Sequence, residues 1–303
     1  MPVTSDRAGV VAAERVPVLP AARWRATEAA HRDRVTELTS GHRARAGRGV
    51  PHPVEDFLFS YYSLRPAQLR RWHPGTGVAL ADAADRTGWR FYRTLEKPGA
   101  ATVTLDLPAF RAARGVQLDF TGRLLGATAA AAGQFGCFGL HEWAMVYRQD
   151  DAGRRHADWP LRLGQHGTDE VVRAHQIRCT HYDAFRFFTP AARPRNLLQP
   201  ELHSRVALEQ PGCLHASMDV YKWAYKLLPA VASDLLLDCF LLARSIRELD
   251  MRASPYDLSE LGFQPVRIET AAGKAEYVAA QRGFAEPAQL LRRRLIAVVE
   301  AVR

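Results

Sequence analysis

The chain predicts a mostly α-helical α+β fold, a single compact domain with a small antiparallel β element. Three observations carry this. Apolar residues recur at helical spacing, or in alanine-rich runs, through most of the chain after residue 107, and alternating stretches are few and short. Trp89–Leu95 and Ala101–Leu107 alternate in polarity around Lys97-Pro98-Gly99 and read as a β-hairpin. The 303 residues, 47% hydrophobic and 24% charged, suffice for a sizeable core and are ordinary for a soluble globular protein.

Residues 1–20, without a clear period, read as a loose leader, and 21–303 as the domain. Ala21 to about Arg45 is helix-friendly, with a thin apolar stripe of Trp24, Ala30, Val35 and Leu38. Pro53 opens a helix carrying Val54, Phe57, Leu58 and Tyr61, and Pro66 restarts a short one that His73-Pro74-Gly75 stops. Phe110–Leu125 and the longer Gly126–Arg148 read as two core helices, and a polar loop spans 149–160. Thr168 is the expected N-cap of the next helix, with Asp169 and Glu170 in its first turn. Ile177–Phe188, rich in β-branched and aromatic residues, reads as a strand with His181 and Asp183 on one face, so β structure is expected at 88–107 and 176–188. Pro190, Pro194, Pro200 and Pro211 mark 190–212 as a long loop or arm. A helix then runs to Pro229, Ser233 caps an apolar helix over Asp234–Leu249, and Lys274–Arg303 supplies one or two terminal helices.

No run approaches the roughly 18–20 apolar residues of a membrane span, and no apolar core follows a basic start, so a cytoplasmic protein without a membrane partner is expected. The four cysteines, Cys137, Cys179, Cys213 and Cys239, show no CxxC spacing and are expected as reduced thiols. A formal charge of +9 permits a polyanionic partner such as DNA. Of 41 Lys+Arg only Lys97, Lys222, Lys226 and Lys274 are lysine, and two of these stand one helical turn apart in Glu209–Leu228. Arginine is a fixed, always-charged fork, whereas the lysine amine responds to burial, so that stretch draws attention.

No G-x-S-x-G elbow, G-x-G-x-x-G loop or Walker loop is present, and His141-Glu142 lacks the second histidine of a zinc-protease helix because position 145 is Met145. Within Met218–Leu228, Asp219 and Lys222 share a face, and Tyr221 and Tyr225 form a parallel aromatic strip. A carboxylate beside an amine and aromatic rings suits an oxocarbenium-like centre on a sugar whose departing base is held by stacking. The expected catalytic residues are therefore Asp219, with Asp183 second, and Lys222. Tyr62, Trp143, Tyr221 and Tyr225 are candidates for stacking on a base, and Arg65, Arg70 and Arg71 for phosphates. A rival reading takes His175, His181 and His215, with the nearby aspartates, as ligands of a divalent metal in an enzyme acting on a small molecule. A third is a non-catalytic nucleic-acid-binding protein using the same aromatics and arginines.

The blocks HPVEDFLFSYYSLRPAQLRRWHPG (52–75), GLHEWAMVYR (139–148), CTHYDAFRFFTPAARPRN (179–196), QPGCLHASMDVYKWAYKL (210–227) and IRELDMRASPYDLSELGFQPV (246–266) resemble an actinobacterial-type family labelled 3-methyladenine DNA glycosylase. The resemblance implies a DNA-repair hydrolase, an N-glycosylase excising alkylated purines without a cofactor. It assigns no residue roles, and the sequence lacks both the helix–hairpin–helix of the large glycosylase superfamily and HEAT-like helical repeats.

Overall fold

Residues 214–224, nearly the whole of one helix, are buried on every side, although that helix carries His215, Ser217, Asp219 and Lys222. A helix enclosed all round must find partners for each such group, so its polar residues dictate what packs against it. The computed structural model describes residues 16–95, 101–149 and 158–303. It is a mostly helical α+β structure with one four-stranded sheet.

In chain order the strands are β1 (Val18–Leu19), β2 (Ala79–Leu80), β3 (Tyr92–Leu95) and β4 (Thr102–Leu105). The helices before the hairpin are α1 (Ala21–Leu38), α2 (Ser40–Ala46), α3 (Phe57–Ser60) and α4 (Pro66–Leu69). After it come α5 (Leu107–Ala130), α6 (Leu140–Ala144), α7 (Gly164–Ala174), α8 (Tyr182–Phe185), α9 (Arg205–Leu208), α10 (Leu214–Lys226), α11 (Ser233–Arg252) and α12 (Ala271–Val302). The central layer is α10, packed against α11 and α12, with α5 lying along α12 and touching α10 through Phe120 on Trp223. Asp106 accepts from Ala109 N at 3.0 Å to cap α5, and Thr270 does the same for α12 from Gly273 N.

The sheet runs in the order β1-β2-β4-β3, with β3 and β4 antiparallel as the hairpin reading expects, Tyr92 opposite Leu105 and Leu95 opposite Thr102, and β1 parallel to β2. The β element is therefore mixed, and the leader contributes to it through Val18–Leu19; residues 1–15 lie outside the described residues, as do the hairpin tip at 96–100 and most of the polar loop, at 150–157. A second, smaller core of Trp24, Trp72, Leu80, Tyr92, Val103 and Leu105 fastens α1 to the sheet. No helix among the described residues is long and apolar enough to cross a membrane.

Five local expectations are corrected. Pro53 does not open a helix, since 53–56 form turns and α3 covers only Phe57–Ser60. Ser233 does not cap α11 but is its first residue, its hydroxyl bonded to His73 N at 2.8 Å. α5 runs through Gly126 without a break, and the chain then leaves the helix after Ala130 and re-enters only at α6. Phe138 and Gly139 both take positive φ there, which sets α6 at a new angle. Ile177–Phe188 is not a strand. Asn196 bonds Cys179 N at 2.7 Å and Cys179 O at 2.9 Å, so a side chain satisfies the backbone that a strand ladder would otherwise use, and Tyr182–Phe185 closes one helical turn. Thr168 is not a cap either: it lies inside α7, and its hydroxyl donates to Gly164 O at 2.7 Å.

Candidate functional site

Asp219 gathers four donors. Tyr62 Oη donates to Oδ1 at 2.9 Å, while Oδ2 accepts from His181 Nε2 at 3.3 Å, Arg205 Nη2 at 3.4 Å and the Lys222 ammonium. Lys222 also donates to Asp183 Oδ2 at 2.9 Å, and Arg205 Nε donates to Glu209 Oε1 at 2.8 Å. Arg205 reaches this cluster because the proline-rich stretch 190–212 folds into an ordered path ending in α9. Asp219 is 2% exposed and Arg205 6%. Burial pushes the Asp219 carboxyl up, but Lys222 and His181 outweigh it and hold it well below the ordinary carboxylate range. Burial likewise opposes the charge on Lys222, and Asp219 with Asp183 holds its proton more firmly than usual. The structure thus brings together Asp219, Asp183, Lys222, Tyr62 and His181 in an ion-pair network whose charged atoms are already engaged.

The remaining sequence candidates divide. Trp143 and Tyr221 are fully buried; Trp143 Nε1 donates to Ala253 O at 2.9 Å, and Tyr221 packs edge-on against Tyr62 with ring centroids 5.6 Å apart. Neither presents a free face to a base. Arg65, Arg70 and Arg71 are exposed on the segment around α4. Among the three predicted metal ligands, His181 and His215 stack with centroids 5.3 Å apart, whereas His175 bonds Val171 O at the end of α7, apart from them.

Two clefts flank the network. The larger, about 460 Å³, opens where α10 ends and is walled by Arg71, Arg90, Arg114 and Lys226 together with Trp89, Phe91 and Tyr225, and none of its lining residues is acidic. None of the four cations has a carboxylate partner among the described residues, while the Arg71 guanidinium stacks 4.9 Å from the centre of Trp89. Trp89 is held from behind by the fully buried Arg86, 4.0 Å from its ring, which donates to Trp72 O. Phe91 lines the cleft with φ 66°, a left-handed conformation that a bulky residue adopts at a cost of about 1–2 kcal/mol. His73 also lines it; its Nδ1 pairs with Tyr92 Oη at 2.9 Å, and burial lowers its pKa to about 3, so the ring is neutral. Partial burial and the nearby Lys222 make Lys226 release its proton more readily than a free lysine.

The smaller cleft, about 260 Å³, lies at the other end of α10. Cys137, Cys179, Cys213, His141 and His215 all line it. His141 Nε2 bonds Asp250 Oδ1 at 2.8 Å, Arg247 Nη1 reaches Asp250 Oδ2 at 3.1 Å and Glu142 Oε1 at 3.0 Å, and Cys137 Sγ sits 3.5 Å from His141 Nδ1. Gly212 seats the 131–139 loop on the start of α10, since a Cβ there would run into Gln134 O. Of this second constellation the sequence reading named only His215, grouped there with His175 and His181; Cys137, His141, Arg247 and Asp250 escaped it, and the available signal was Cys137 and His141 four residues apart. Comparisons with protein-family models, with curated proteins and with solved structures give no match for this chain.

Proposed function

We propose that the protein binds DNA in the Arg71–Lys226 cleft and excises alkylated purine bases there, as an N-glycosylase. The observation that carries the reading is a cleft whose lining holds four cations without a carboxylate partner among the described residues, three aromatic rings and no acidic residue. Cations along a groove track backbone phosphates, and aromatic faces take up an unstacked base. The missing carboxylate narrows the chemistry. An alkylated purine is already cationic and leaves without protonation, and it is drawn to aromatic faces by its charge. His73 is neutral, pairs through Nδ1 with Tyr92 Oη and forms part of the cleft wall; with a pKa of about 3 it is too weak a base to take a proton from water, and a cationic leaving base does not require one. The Asp219 network serves from behind by fixing α10, whose last turn carries Tyr225 and Lys226.

Chromatography of bases released from methylated DNA tests this. Wild type is expected to release free alkylpurine, and Arg71→Ala with Lys226→Ala, both exposed positions, to lose roughly tenfold or more in kcat/KM. Binding without release would leave a non-catalytic nucleic-acid-binding protein, and release undiminished by the double variant would remove the cleft from the reaction.

A further inference from the structure

Cys137 stands apart from the other three thiols. It is half-buried and lines the 260 Å³ cleft, whereas Cys179, Cys213 and Cys239 are buried, and burial pushes all three of those thiols up. Its Sγ lies 3.5 Å from His141 Nδ1, the Nε2 of that ring bonds Asp250 Oδ1 at 2.8 Å, and Arg247 fixes Asp250 Oδ2 at 3.1 Å. A sulfur and a buried carboxylate joined through the two nitrogens of one imidazole, with the sulfur on a cleft wall, is how a cysteine nucleophile is set beside its acid–base partner. We propose that Cys137 attacks the acyl carbon of a small ester or amide held in this cleft, with His141 as acid and base and Asp250 as the residue that positions His141.

The charge on His141 suits that role. Burial opposes it, but Asp250 outweighs burial, Cys137 adds a smaller share, and the ring is held protonated. An imidazolium donates from both nitrogens, here Nε2 to Asp250 and Nδ1 to the Cys137 sulfur. The thiolate is the attacking form of cysteine, and a neighbouring cation favours it. The ring of His215 stands edge-on to that of His141, with centroids 4.4 Å apart; burial, reinforced by His141, lowers His215 to about 3, so His141 is the imidazole of this pair that carries the proton.

Two further features point to a reacting ligand. Phe138, the residue after Cys137, takes φ 49°, and strain of this kind in a bulky residue gathers at reactive sites. Tyr277 lines the cleft and packs on Gly139, and its buried hydroxyl makes no well-formed hydrogen bond among the described residues. Burial, with Cys137 nearby, keeps that hydroxyl protonated, so it can donate to the oxygen that turns negative when a carbonyl is attacked. At 260 Å³ the cleft is smaller than the roughly 300–1,000 Å³ of pockets for drug-sized ligands, which fits a small acyl compound.

In the first step the Cys137 thiolate forms a C–S bond to the acyl carbon. The C–O or C–N bond breaks, its electron pair leaves with the alcohol or amine, and that group takes the Nδ1 proton of His141. Neutral His141 then takes a proton from water, and the hydroxide adds to the acyl carbon. The C–S bond breaks with its electron pair on sulfur, releasing the acid and restoring thiolate and imidazolium. One water is consumed and no other co-reactant is needed. The inference is independent of the nucleic-acid reading, because the two clefts share no lining residue.

Iodoacetamide labelling at neutral pH, read residue by residue in the mass spectrum, tests the nucleophile. Cys137 should be alkylated about tenfold or more faster in the folded chain than in the urea-unfolded one, and His141→Gln should remove most of that advantage. p-Nitrophenyl acetate tests the chemistry. Quenched wild type should carry an acetyl group on Cys137 and release nitrophenolate with turnover, and Cys137→Ala should lose both. Asp250→Asn keeps an acceptor for Nε2 but not the charge, and should lower kcat by roughly tenfold at unchanged KM. Alkylation of Cys137 no faster in the folded chain than in the unfolded one, or equally fast in folded His141→Gln, would overturn the nucleophile. The absence of an acetyl group on Cys137, or nitrophenolate release at the wild-type rate by folded Cys137→Ala, would overturn the acyl transfer. An unchanged kcat in folded Asp250→Asn would remove Asp250 from the assignment.

Discussion

Lys222 bridges Asp219 and Asp183: its ammonium donates to both carboxylates, at 2.9 Å to Asp183 Oδ2, inside a helix buried on all sides. Removing one member of such a buried set strands the others. Asp219→Asn leaves Lys222 and Arg205 with one counter-charge fewer and should cost about 3–5 kcal/mol in urea denaturation. Asp219→Asn combined with Lys222→Met should cost less than the sum of the two single changes, because the second removes the charge that the first stranded. A near-neutral Asp219→Asn would show that the network is not held together by its charges.

Trp143 is expected to matter for stability and not for binding. Trp143→Phe deletes the Nε1 bond to Ala253 O and leaves that buried carbonyl without its partner, a loss of roughly 1–3 kcal/mol. DNA affinity, measured by fluorescence anisotropy, should be unchanged. A large fall in affinity at unchanged stability would place Trp143 against the ligand.

His73 sets a pH dependence. Its folded pKa is lowered by burial to about 3, whereas the unfolded side chain titrates near 6.5. Between these values the unfolded chain binds a proton that the folded one refuses, so the folded state loses stability as the pH falls below about 6.5. By pH 4.5 the contribution should reach about 2–3 kcal/mol. Below about pH 4 the depressed carboxyls of Asp219 and Asp183 add to the loss, because their stabilisation disappears as they are protonated. Denaturation midpoints of wild type and His73→Gln across this range check the first part; parallel curves would show that His73 is not responsible.

Much of the helical framework was legible because it rests on local signals: Pro66 starts α4 and Pro229 follows α10, whereas Ser233 is the first residue of α11 and not its cap, its hydroxyl being taken by His73 N and Arg71 O. The Asp219–Lys222–Asp183 grouping was also within reach, since the first pair is three residues apart on one helix. The rest depends on packing between distant segments. Asp250 reaches His141 across 109 positions and Tyr62 reaches Asp219 across 157, and no spacing rule encodes either. Spacing put Asp219 and Lys222 on one face of α10 but not what covers it: α11 and α12 pack against the helix and the 190–212 stretch brings Arg205 to Asp219. Ile177–Phe188 misled for a similar reason: its composition favours a strand, and a single asparagine from nineteen positions beyond Ile177 supplies the competing hydrogen bonds.

Equilibrium binding of single-stranded DNA as a function of salt tests the nucleic-acid reading most directly. Affinity should fall steeply with salt, and Arg71→Ala and Lys226→Ala should each weaken binding and reduce the slope by roughly 0.7, the loss of one phosphate contact to a single strand. Tight binding whose affinity and slope are the same in wild type and in the folded double variant would contradict it, and so would the absence of binding by wild type at low salt.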